Sequence, residues 1–203
     1  MIIHNVEQNS QEWLDARRGI VTASAISDVL SKGRGSAPSK TRYAYMMKLL
    51  AERVAIDQIN EFQGNRYTER GHILEPEARA LYAFINDCEP QEVGFITNDE
   101  KTAGASPDSL INDDGCMEIK SKMPAIHLPV LFSQEVPKEH EPQIQTQLWI
   151  AEREWCDFVS YCPNLPLVQV RVYRDEARIK EIAKAVDDFN NELNDLEQKI
   201  RSM

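Results

Sequence analysis

Near Glu92 the hydrophobic period of this chain changes, and the change separates what can be helix from what can be sheet. Ahead of it, apolar residues recur every three or four positions. Ser10 predicts the cap of a short helix through Trp13 and Leu14 that stops at Gly19, and Thr22 the cap of a second through Ile26, Val29 and Leu30. Ser39 caps a third carrying Tyr43, Met46, Met47, Leu50 and Val54. A fourth is expected around Ile73, Leu74, Ala78, Leu81 and Phe84, kinked or restarted at Pro76. Beyond Glu92 come short runs of β character at 93–97, 105–111 and 117–121, the last two joined by Asn112-Asp113-Asp114-Gly115 as a hairpin turn. A helix over about 139–152 precedes strands at 158–162 and 167–173. The chain ends in a helix whose apolar residues Ile179, Ile182, Val186, Phe189, Leu193, Leu196 and Ile200 alternate steps of three and four. Such a stripe admits a coiled-coil seam, but packing against the chain's own body gives nearly the same pattern and is preferred.

Length and composition place this series in one domain of α/β class. The chain has 203 residues, 42% apolar and 28% charged, and no linker or repeat divides it. The expected layout is a helical part over about 1–85, a sheet-bearing part over about 86–175 and a terminal helix over about 175–201. No apolar run approaches the roughly 20 residues a bilayer requires. Glu7, Glu12, Asp15, Arg17 and Arg18 interrupt the start where a signal core would lie, so a cytoplasmic protein with no membrane partner is expected. Cys88, Cys116, Cys156 and Cys162 lack CxxC spacing and read as buried thiols, not as a zinc ribbon or a disulfide framework.

The net charge of -10, from 23 basic and 33 acidic residues, by itself argues against a nucleic-acid partner. The average hides a segregation. Between Val29 and Ala51 there are five basic residues, Lys32, Arg34, Lys40, Arg42 and Lys48, and no acid; between Asn86 and Glu118 there are nine acids and only Lys101. A solvated helix face and acidic turns would give this pattern, and so would a chain that grips an anion with one part and cations with another.

The chemically informative stretch is Ser106-Pro107-Asp108-Ser109-Leu110, a turn, and Met117-Glu118-Ile119-Lys120. Residues i and i+2 of a strand share a face, so Glu118 and Lys120 project together, and a hairpin sets Asp108 on the neighbouring strand beside them. Asp108 and Glu118 offer hard oxygen ligands for Mg²⁺. A lysine beside them can orient or help deprotonate water, as phosphodiester hydrolysis requires. The plain alternative is a surface hairpin with ordinary charges. Two other acid-x-Lys triplets, Asp99-Glu100-Lys101 and Glu197-Gln198-Lys199, lack the apolar strand context. Glu75, in Gly71-His72-Ile73-Leu74-Glu75-Pro76, and Gln143 and Gln145, in Gln143-Ile144-Gln145, complete a series of Glu, Asp, Glu-x-Lys and Gln.

In this order the residues resemble the PD-(D/E)xK nuclease superfamily, specifically the phage lambda exonuclease and YqaJ-type viral recombinases, also called alkaline exonucleases. The resemblance runs from Glu12-Trp13-Leu14-Asp15-Ala16-Arg17-Arg18-Gly19-Ile20-Val21-Thr22-Ala23-Ser24 to Gln145 and covers nearly the whole chain. It implies a restriction-endonuclease-like core, a central mixed β-sheet of about five strands flanked by helices. It implies Mg²⁺ as cofactor, two ions with Mn²⁺ able to substitute, held by Asp108, Glu118, the Ile119 carbonyl and Glu75, with Lys120 and Gln143 beside the attacking water. Arg17 and Ser24 match residues that hold the 5′-phosphate, with Thr22 at the same helix start, where amides favour an anion. Arg34, next to Lys32 in a Gly-rich loop, matches an arginine that reaches the downstream duplex. The family's apolar wedge at the duplex end falls near Tyr67-Thr68, where this chain offers an aromatic ring instead. The implied activity is 5′-to-3′ digestion of linear double-stranded DNA to mononucleotides, leaving 3′ overhangs for recombination. The implied partners are DNA ends with a 5′-phosphate, two further copies of the chain in a ring-shaped trimer and a single-strand annealing protein. A different nuclease of the superfamily, cutting internally or trimming single strands, and a DNA-binding module without catalysis are the alternatives.

Overall fold

The computed structural model describes residues 1–33, 37–55 and 66–203, the side chains of 66–69 and 72 excepted. In chain order the elements are β1 (Ile2–His4), α1 (Gln11–Arg17), β2 (Val21–Thr22), α2 (Ile26–Leu30), α3 (Lys40–Val54), α4 (Arg66–Asn86), β3 (Phe95–Thr97), β4 (Ala103–Ala105), β5 (Ser109–Ile111), β6 (Gly115–Ser121), α5 (Pro124–Ser133), α6 (Glu141–Ile150), β7 (Trp155–Tyr161), β8 (Val168–Tyr173) and α7 (Glu176–Arg201). The class is α/β with mixed sheets, as expected. The strands form two four-stranded sheets, β1-β3-β4-β2 and β5-β6-β7-β8, where the expectation was one sheet of about five.

The difference arises at one proline. The run 105–111, expected as one strand, is divided, with Ala105 closing β4 in the first sheet and Ser109 opening β5 in the second. Pro107 lies in the gap and has no N–H with which to continue a ladder. Residues 106–108 therefore carry the chain from one sheet to the other.

The β5–β6 hairpin forms as predicted, with Ser109 opposite Met117 and Ile111 opposite Gly115. Asn112, at φ 49°, makes the turn. Gly115 is required by close approach: a Cβ there would lie 2.2 Å from the Trp155 ring across the β6–β7 pair. That pair is parallel and places Glu118 beside Phe158 and Lys120 beside Ser160. Parallel neighbours need a crossover, and α5 and α6 supply it. The sequence pattern missed α5 because its residues are mostly apolar, without a polar stripe, and include Pro124 and Pro129.

Alternation along β6 divides the core. Met117 and Ile119 pack with Ala78 and Tyr82 of α4 and with Val159, whereas Cys116 and Phe158 join Ile144 and Leu148 of α6 in the larger core with α2, α3 and α7. Helix α4 runs through Pro76 without the expected break. In α3 the buried face carries Tyr45, Met46, Leu49 and Leu50, while Tyr43 and Val54 of the expected stripe are exposed. Asp175 caps α7 by accepting from the Ala177 and Arg178 amides. Ile179, Ile182, Val186, Phe189 and Leu193 are buried within the chain, so the stripe packs intramolecularly. All four cysteines are free thiols, three of them buried and Cys88 partly so. No helix among the described residues is long and apolar enough to cross a membrane.

Candidate active site

Glu118 lies at the middle of β6 and is almost fully buried, at 3% exposure. A carboxylate there needs donors. Lys120, two residues on and on the same face, donates to Oε1, as does the Gln143 amide at 2.8 Å. The Gln147 amide donates to Oε2 at 2.5 Å. Asp108, one residue ahead of β5, has its own N–H on the Met117 carbonyl at 3.0 Å and accepts the Ile119 N–H through Oδ2 at 2.5 Å. The N–H and C=O of one strand residue point to the same edge, so the Ile119 carbonyl is directed to the Asp108 side, past the point where β5 has ended. The structure thus brings together Asp108, Glu118, Ile119, Lys120 and Gln143. Gln145 is elsewhere: it donates to the Tyr173 carbonyl and accepts from the Asp175 N–H.

Glu75 reaches the same region from α4. It pairs with Arg79 one turn on, at 2.5 Å, and the same guanidinium donates to the Ser109 hydroxyl (3.0 Å) and the Asp108 carbonyl (3.1 Å). Arg79 is the brace between α4 and the aspartate, and the sequence reading did not find it. Its signal was the i, i+4 spacing from Glu75.

A second group lies across the link. Arg17, in the last turn of α1, stacks over Trp13 at 3.9 Å and donates to the Ser106 hydroxyl at 3.1 Å. Trp13 also donates to that hydroxyl, at 3.0 Å. Burial pulls Arg17 down to about 10, with the Tyr45 and Glu52 charges opposing, so it stays cationic at neutral pH. No carboxylate among the described residues forms an ion pair with it. Thr22 and Ser24 stand 3.4 Å apart through their hydroxyls. The helix expected to start there is a single 3-10 turn followed by the five-residue α2, and Thr22 makes no side-chain cap. Lys32 is exposed; Arg34 lies outside the described residues, as do the side chains of Tyr67 and Thr68. Within the basic segment Arg42 is engaged inside the molecule, with both guanidinium nitrogens on Glu192 at 2.8 Å.

The electrostatics favour a cation at this site. Burial first, then repulsion from Glu118 and Glu75, pushes the Asp108 carboxyl well above the ordinary carboxylate range, with Lys120 and the Ile119 N–H only partly offsetting this. Lys120 is depressed by burial but lifted further by Glu118 and Asp108, and the net direction is up. Lys120 is a firm ammonium as long as it shares Glu118. Beside it, the His140 ring stacks on Phe158 at 5.3 Å and its Nε2 is buried with no hydrogen-bond partner. Burial and the charges of Lys120 and Lys122 pull His140 down to about 4. No three His, Cys, Asp or Glu among the described residues form a ready-made metal cluster. Mg²⁺, however, needs only one or two carboxylates and keeps several waters. Asp108, Glu118 and a main-chain carbonyl at the open edge fit that requirement.

Two mixed sheets, a carboxylate pair with a lysine on and just ahead of paired strands and a glutamine from the crossover helix define a nuclease-like α/β protein, and the comparisons agree. Residues 12–154 match the YqaJ-like viral recombinase domain, and the chain belongs to that family. The alkaline exonuclease LHK-Exo from Laribacter hongkongensis, one crystal structure of which is a complex with dAMP, is 35% identical with a TM-score of 0.86, over 95% of this chain and 97% of that one. A phage related exonuclease from Haemophilus somnus 129PT shares the fold alone, at 12% identity and a TM-score of 0.69, over 89% of this chain and 96% of that one. Uncharacterized protein R354 of Acanthamoeba polyphaga mimivirus is 28% identical over 174 residues, 78% of this chain; the chain spans only 30% of that protein's length.

Proposed function

We propose that this chain is a Mg²⁺-dependent exonuclease that digests one strand of linear double-stranded DNA from its 5′ end, releasing mononucleotides and leaving 3′ overhangs for recombination by strand annealing. The observation that carries the reading is the convergence of Asp108, Glu118, Lys120 and Gln143 around the middle of β6. Support comes from family membership and from the likeness to LHK-Exo.

Asp108, Glu118, the Ile119 carbonyl and Glu75 are the groups that would hold Mg²⁺, as one ion or two, or Mn²⁺ in its place. The metal supplies Lewis-acid stabilisation of charge developing on the phosphate. The Lys120 ammonium and the Gln143 amide orient the attacking water and donate to the scissile group. Arg79 keeps Glu75 and Asp108 in register. Arg17 holds the terminal 5′-phosphate with a planar guanidinium already stripped of much of its water. On the same reading the Ser24 and Thr22 hydroxyls would join the phosphate contact, and Lys32 and Arg34 would meet the duplex further along. The reading extends to a ring of three chains and an annealing protein as partner. Phe84 and Phe132, 86% and 82% exposed, are apolar surface of the kind such contacts cover.

The test is digestion of a linear duplex labelled at either end, with and without a 5′-phosphate, in Mg²⁺ or EDTA. Expected is metal-dependent release of the 5′ label as mononucleotide, slowed about 10²- to 10⁴-fold in Lys120→Ala. In Arg17→Ala the loss should fall mainly on phosphorylated ends. Internal cuts would overturn the exonuclease and keep the metal site; absence of hydrolysis with any divalent ion would overturn the enzyme.

A further inference from the structure

The two oxygens of Glu118 have different donors. Oε1 accepts from Lys120 and Gln143, side chains that are themselves partly open to solvent. Oε2 accepts from Gln147, which is fully buried, one turn further along α6. The other end of that amide faces the buried Cys156 thiol, with Sγ 4.0 Å from Oε1 of Gln147. Oε2 is therefore the inner oxygen, turned to the core, and Oε1 is the outer one.

Resting on the metal site proposed above, we infer that Gln147 is a positioning residue that locks Oε2 inward, so that Glu118 presents Oε1 alone to a divalent ion, and that this one-oxygen presentation selects Mg²⁺ and Mn²⁺ against Ca²⁺. Three physical points carry it. An amide donates without a charge, so Gln147 fixes the carboxylate without adding a second cation to the one Lys120 already supplies; a lysine or arginine in its place would neutralise the charge left for the metal. A buried side chain on a helix cannot follow a carboxylate that rotates to chelate, so the two-oxygen mode is closed. Mg²⁺ demands near-ideal octahedral geometry, whereas Ca²⁺ takes six to eight oxygens and readily accepts both oxygens of one carboxylate.

The experiment is calorimetric titration of the DNA-free protein with Mg²⁺ and with Ca²⁺, for wild type, Gln147→Met and Gln147→Asn. Methionine keeps the volume and loses the donor; asparagine keeps the amide but withdraws it by one methylene. Gln145→Met, on the same helix with its bonds to Tyr173 and Asp175, controls for loss of a buried glutamine. Expected is a fall of about tenfold or more in the ratio of Mg²⁺ to Ca²⁺ affinity in both Gln147 variants, and no change of ratio in Gln145→Met. A purely structural role would lower melting temperature and leave the ratio where it was. Wild type that binds Mg²⁺, with an unchanged ratio in the Gln147 variants, overturns this inference alone. Wild type that neither binds Mg²⁺ nor hydrolyses DNA removes the proposed function beneath it.

Discussion

At the scale of single residues the site is built against its own stability. Asp108 stays protonated in the fold at pH values where an unfolded chain has released the proton. Without metal, its contribution is therefore most favourable below about pH 4 and is lost as pH rises through the elevated folded value. Asp108→Asn keeps the shape, and an acceptor for the Ile119 N–H, while removing the charge. In EDTA at neutral pH this variant should melt about 2–4 °C above wild type, the shift expected of about 1 kcal/mol in a chain of this size. Mg²⁺ should raise the melting temperature of wild type and not of the variant. A scanning melt in both conditions decides it, and a variant less stable than wild type in EDTA would contradict it. Most residues of this site were legible one by one, because Glu118 and Lys120 lie on a strand whose period of two is visible and Asp108 immediately precedes the strand paired with it. Gln147 was not. The Gln-x-Gln pattern draws attention to i+2, but on a helix Gln145 points away and the partner on the same face is i+4.

At the scale of elements, α4 delivers Glu75 and is pinned to β7 far from it. The Tyr82 hydroxyl donates to Asp157 at 2.7 Å, and the same buried carboxylate takes two bonds from Arg171 and one from Gln169. Tyr82→Phe deletes one bond of four and should cost about 1 kcal/mol. Asp157→Ala strands all three donors and should cost about 3 kcal/mol. Urea denaturation measures both, and equal losses would show that the anchor is not shared. Helices with caps and stripes, such as α3 and α7, could be read from Ser39 or from the Ile179-to-Leu193 series. Three features could not. Proline inside an apolar run hid the change of sheet at residues 106–108. A mostly apolar composition with two prolines hid α5. Pro76 looked like a break, although α4 absorbs the loss of one N–H within a 21-residue helix.

At the scale of the whole molecule, the arginine near the chain end is held by helices remote from it. The turn after α1 is clamped at Gly19, φ 68°, whose N–H donates to Glu52 at 2.8 Å and whose carbonyl accepts from Arg53 at 2.9 Å. Arg53 continues to Asn194 of α7 at 2.8 Å. On the proposed function, Arg53→Ala should thus lower kcat/KM on 5′-phosphorylated ends about tenfold and leave 5′-hydroxyl ends within about twofold, a change of about 1.4 kcal/mol felt only through Arg17. Equal losses on both substrates, measured side by side, would assign Arg53 to stability alone. Between that grip and the carboxylates lies the link joining the two sheets, with Ser106 touching Arg17 and Asp108 touching Ile119. Two residues of chain span at most about 7 Å, the order of the spacing between neighbouring phosphates along one strand. On the proposed function the crossing from sheet to sheet would act as a ruler, with the size of the product written in the number of residues between a serine and an aspartate.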